Sequence, residues 1–115
     1  MLKIGTILLI FLGEILAIGA EIVAAKYNAL SDGKFSSIFF KALPVFFLAS
    51  ILLLTGYMLG LRAFKNIWIV SAVSIGSIII SEPIINYLVT HQLPTTGALI
   101  GLVLGVLGII SALFF

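Results

Sequence analysis

Glu14 and Glu21 lie inside the first apolar stretch of a chain that is otherwise almost free of charge. A carboxylate at membrane depth costs about 2.5 to 3.5 kcal/mol on insertion scales, so it is retained there for a function or for a partner. Their spacing of seven residues is two helical turns, which places both on one face. Removal from water disfavours the ionised form of any carboxyl. A site of this kind holds a proton or a cationic ligand but not both comfortably, and that competition is a physical basis for proton-coupled exchange. Two such acids facing each other across a dimer behave as one coupled pair. The alternative for Glu14 is a buried carboxyl hydrogen-bonded to serine or tyrosine, holding helices together. For Glu21 the alternative is a side chain reaching the interface near Lys26.

Other polar residues fall into patterns around these acids. Ser71, Ser74, Ser77 and Ser81 follow at steps of three, three and four, which is one helical stripe. Such a stripe faces either a neighbouring helix or an aqueous cavity. Tyr57 can offer its hydroxyl to the same cavity or anchor a helix end at the interface. Pro83 lacks a backbone N–H and bends or ends its helix. Glu82, Asn86 and Tyr87 then line a pathway or mark the helix end near the headgroups, and for Glu82 the second reading is preferred. His91 stands alone in a loop signal beside Pro94, with Thr95 and Thr96 ready to cap the next helix. Without cysteine or a second ligand near His91, no metal site is expected, and no cofactor. No nucleophile–base pair is visible, so the chain is not read as an enzyme.

These residues must be positioned by membrane helices. Of 115 residues, 63% are hydrophobic and 9% charged, far too few charges to cover a soluble domain. The net charge of +2 comes from scattered basic residues that make no patch, which argues against a nucleic-acid partner. Spanning the hydrocarbon takes about 20 apolar residues. Stretches with few or no charges predict a single all-α domain over 1–115, with transmembrane helices at about 4–25, 42–62, 66–89 and 96–115. A longer first loop (Lys26 to Lys41) and two short ones (Arg62–Lys65 and His91–Pro94) make neighbouring helices antiparallel in a compact pair of hairpins. The polar–apolar alternation of a transmembrane β-strand is absent. The first twenty residues also resemble a signal peptide, but Glu14 within the apolar run argues against cleavage.

On this layout Glu14 lies roughly 15 Å into helix one, near mid-bilayer, and Glu21 about 10 Å further on. Lys3, Arg62 and Lys65 flank one side of the membrane, and Lys26, Lys34 and Lys41 the other. Three against three gives no preferred orientation. Dual topology, with the chain pairing to an inverted copy, fits that balance, as does a simple cytoplasmic first loop. Four short helices also make too few walls to enclose a polar path, whereas a homodimer of eight has enough. Gly97, Gly101, Gly105 and Gly108 offer a close-packing seam for that dimer, and Gly56 with Gly60 a second, shorter one.

The whole pattern resembles the small multidrug resistance family of the drug/metabolite transporter superfamily. The segment from Gly101 to Ile109, with glycines seven apart, is similar to the family's dimerisation pattern on helix four. Leu93-Pro94 before that helix, and Lys26 with Gly33 and Phe35 after helix one, fit as well. The resemblance implies an antiparallel homodimer in the plasma or bacterial inner membrane that exchanges protons for a small cationic compound, with Glu14 as the shared site. Three departures accompany it. Glu14 is twelve residues before Lys26 rather than about eight, so Glu14 and Glu21 can divide the role. Trp68 is the only tryptophan and no tyrosine follows it until Tyr87, which points to a small polar or cationic substrate rather than broad aromatic drugs. Glu82-Pro83 looks more like other branches of the superfamily. Rival readings are a subunit of a flippase for lipid-linked sugars, paired as a heterodimer, and a non-transporting assembly subunit.

Overall fold

A computed structural model describes residues 2–30 and 35–115. The chain is all-α: α1 spans Leu2–Leu30, α2 Phe35–Phe64, α3 Ile67–Thr90 and α4 Thr96–Phe114. All four helices are long and apolar enough to cross a membrane, and the chain is a multi-pass membrane protein. Their outward faces are rich in leucine, isoleucine and phenylalanine, because lipid rather than water is the solvent there.

The first connection is much shorter than the sequence predicts. Helix α1 runs on past Lys26 to Leu30, and α2 starts at Phe35, so Lys26 and Lys41 stand on helices rather than in a loop. Lack of charge marks the hydrocarbon span, whereas a helix continues through headgroup depth as long as its residues permit. Lys34 and Gly33 lie outside the described residues. The other turns follow local chemistry. Lys65 and His91 adopt left-handed backbone conformations that end α2 and α3. Asn66 Oδ1 then accepts the Trp68 backbone N–H at 2.9 Å, and Thr95 Oγ1 accepts that of Ala98 at 3.1 Å, so each caps the helix that follows.

Helix α1 is central, packed along α2 on one side and α3 on the other, while α4 lies outside α3 with no buried residue. The α1–α2 seam is tight. A Cβ added at Gly56 would stand 2.7 Å from Ile10 Cγ1, and one at Gly13 would stand 2.8 Å from Leu53 Cγ. The short glycine seam of α2 therefore serves packing within one chain. Around it Ile10, Ala49 and Val70 are fully buried. The arrangement is flatter than the compact pair of hairpins expected, with extents of 47 × 34 × 17 Å. Among the described residues helix α4 meets only α3, so the four helices form an open arrangement rather than a closed bundle.

Candidate functional site

Glu14 is 8% exposed and sits between α1 and α3. Ser74, itself 5% exposed, donates its hydroxyl to Glu14 Oε1 at 2.6 Å. That length is at the short end of hydroxyl–oxygen bonds, and both partners are withdrawn from lipid into the seam. Ala17 on α1 and Ala72 on α3 are buried as well.

The serine stripe divides by function. Ser74, Ser77 and Ser81 are buried and Ser71 is half-buried, which matches one face of α3 turned toward the interior. Only Ser74 meets Glu14. Ser77 donates back to the Val73 carbonyl at 2.8 Å within its own helix, a common arrangement for serine in apolar surroundings. Ser81 Oγ and Thr6 Oγ1 are buried without a partner. Thr6 was not singled out from the sequence: one threonine two turns before an acid gives no signal there. Tyr57 is half-buried on α2, and the hydroxyl on Glu14 is that of Ser74 instead.

A second contact fixes the register of α1 against α3. Lys26 Nζ donates to the Val89 carbonyl at 2.7 Å. Carbonyls in the last turn of a helix have no internal donor, and a cation there also meets the negative end of the helix dipole. Glu14 with Ser74 and Lys26 with Val89 advance in the same direction, so α1 and α3 run parallel. At the opposite end Lys3 Nζ lies 5.7 Å from the centre of the Phe64 ring, grouping Lys3 with the end of α2. This is the grouping of charges read from the sequence.

Two clefts flank this seam. One, of 490 Å³, opens between α1 and α2 and is lined by Glu21, Asn28, Phe35, Phe39 and Phe46 among others. Glu21 is exposed at its edge, unlike Glu14. The other, of 540 Å³, opens between α3 and α4 and contains Glu82, Pro83 and Asn86. Glu82 does not mark a helix end, because α3 continues unbroken through Pro83 to Thr90. A proline removes one helical bond, and the apolar helix around it keeps the remaining ones. The residues lining the two clefts do not include Glu14, which one chain therefore seals within the α1–α3 seam.

The glycines of α4 point two ways. A Cβ at Gly105 would meet Ile79 Cδ1 of α3 at 2.9 Å, whereas at Gly97, Gly101 and Gly108 it would meet nothing within 4 Å. Trp68 is 79% exposed at the start of α3, the placement of an interfacial anchor. The chain was compared with protein families, with curated proteins and with solved structures, and none of them matches it.

Proposed function

We propose that this chain is a small transporter that exchanges protons for a small cationic or polar compound across the plasma or bacterial inner membrane. It works as an antiparallel homodimer, in the manner of the small multidrug resistance proteins it resembles. The observation that carries this reading is Glu14, an acid withdrawn from lipid and held by a hydroxyl from a neighbouring membrane helix. An acid so placed can carry a proton or pair with a cation, and each excludes the other. Exposing it takes separation of α1 from α3. Interhelical hydrogen bonds in membranes average only about 0.6 kcal/mol, so breaking the Ser74 bond is a small barrier. The open arrangement, in which α4 meets only α3, supports a role for a second copy that would supply the missing walls of a path. The open glycines of α4 offer that copy a close approach. Glu21 lines the cleft between α1 and α2 rather than the α1–α3 seam, so it would assist as a separate attractor for cations.

One observation favours a second reading. Neither cleft reaches Glu14, as expected of an assembly subunit whose buried acid only ties helices together. Proteoliposomes separate the two. With a pH-sensitive dye inside, addition of a substrate cation should move protons in the wild type, and Glu14→Gln should abolish that movement. Intact transport in Glu14→Gln with loss in Glu21→Gln would move the site to Glu21. Lipid translocation without a proton requirement would identify a flippase subunit, and absence of any flux an assembly role.

A further inference from the structure

The cleft between α3 and α4 holds chemistry that the Glu14 site does not use. Glu82 lies eight residues before the last residue of α3, about 12 Å inside the helix end. Its side chain is exposed in the single chain, and a carboxylate left at bilayer depth calls for a counter-charge. Asn86 is one turn further along the same helix, and both side chains line the cleft. Between them, Pro83 has no N–H to give the Ile79 carbonyl, and Ile79 and Pro83 line the same cleft. The cleft thus brings together a carboxylate and an amide, and the Ile79 carbonyl, which Pro83 leaves without its helical donor, lies on the same stretch of α3. Two of these only accept hydrogen bonds, and the amide can accept as well as donate.

Ile78, Ala98 and Leu102 give the cleft an apolar side beside its acceptors, while Thr90, Gln92 and Thr95, near the α3–α4 connection, add polar groups to its wall. Its 540 Å³ falls within the usual range of small-molecule sites, about 300 to 1,000 Å³. We infer that this cleft binds a primary ammonium group attached to an apolar chain, with Glu82 as counter-ion and Asn86 and the Ile79 carbonyl accepting its N–H bonds. Three N–H donors on a compact cation match three acceptors better than a quaternary ammonium, which has none. Either a free alkylamine or the headgroup of an aminophospholipid supplies this chemistry.

The site stands apart from Glu14, and its test is run in a Glu14→Gln background so that the transport reading does not enter. Saturation binding of radiolabelled octylammonium is measured on the full chain in phosphatidylcholine nanodiscs, with empty nanodiscs subtracted. Adding Glu82→Gln should weaken binding about ten-fold or more, as expected when a charged hydrogen-bond partner is lost. Asn86→Leu, which keeps the charge, should weaken it less. Octyltrimethylammonium should compete about ten-fold more weakly than unlabelled octylammonium, a comparison that needs no change at the cleft. Displacement by phosphatidylethanolamine in the nanodisc would identify the lipid headgroup as occupant, and its failure to displace would identify a free amine. Absence of saturable binding, equal affinity with and without Glu82→Gln and Asn86→Leu, or equal competition by the quaternary ammonium overturns the assignment.

Discussion

Replacing Ser74 with alanine removes the hydroxyl donated to Glu14 while changing little volume. Both residues are nearly buried, at 8% exposed for Glu14 and 5% for Ser74, so water is poorly placed to take the donor's role. Leaving one buried polar group unsatisfied costs about 1 to 3 kcal/mol in soluble proteins. In membranes the measured coupling is smaller, about 0.6 kcal/mol on average and about 1.7 at most, because the separated helices find other partners. The bond is short, at 2.6 Å, and one partner is a carboxyl, so it belongs in the upper part of that range. A coupling of about 1 kcal/mol is expected. Removing both partners is different from removing one: paired apolar replacements can be nearly neutral. Glu14→Met with Ser74→Ala should therefore be no less stable than Ser74→Ala alone. Reversible unfolding in mixed micelles, run as a double-mutant cycle, reads this directly. Additivity within about 0.3 kcal/mol would refute a direct interaction between the two side chains.

Two further outcomes test the packing. Gly56→Ala should destabilise the fold by about 1 to 3 kcal/mol, because the added carbon meets fully buried Ile10 at 2.7 Å; Gly19→Ala, with nothing within 4 Å, should not, and equal effects in the same unfolding assay would contradict the seam. Gly108→Ala should leave the stability of the single chain unchanged, since nothing lies within 4 Å of the added carbon, yet lower the dimer fraction seen by cross-linking in lipid. An undiminished dimer would place the contact elsewhere.

The helices themselves were legible because an uncharged apolar run of membrane length admits few other structures, and all four occur close to where the sequence predicts them. Their ends were less so. Charge at Lys26 and Lys41 signals headgroup depth, but α1 and α2 continue through it to Leu30 and from Phe35. The face of Ser74, Ser77 and Ser81 followed from spacing alone, whereas the pairing of Ser74 in particular with Glu14 needed the relative register of two helices. No local pattern encodes that register. It depends partly on Lys26 reaching the Val89 carbonyl, a contact between residues 63 apart in sequence. Glu82 was misplaced for a related reason: a proline reads as a helix end when its neighbours are unknown, and here the helix passes through it.

Proton-coupled exchange requires a proton and a cation to compete for the Glu14 carboxyl, and proton release on ligand binding measures that competition directly. The protein in lipid, at low buffer capacity, is titrated with a transported cation while pH is recorded. Binding should release protons in the wild type, and Glu14→Gln should release none. Cation binding without proton release, or release that persists unchanged in Glu14→Gln, would contradict it.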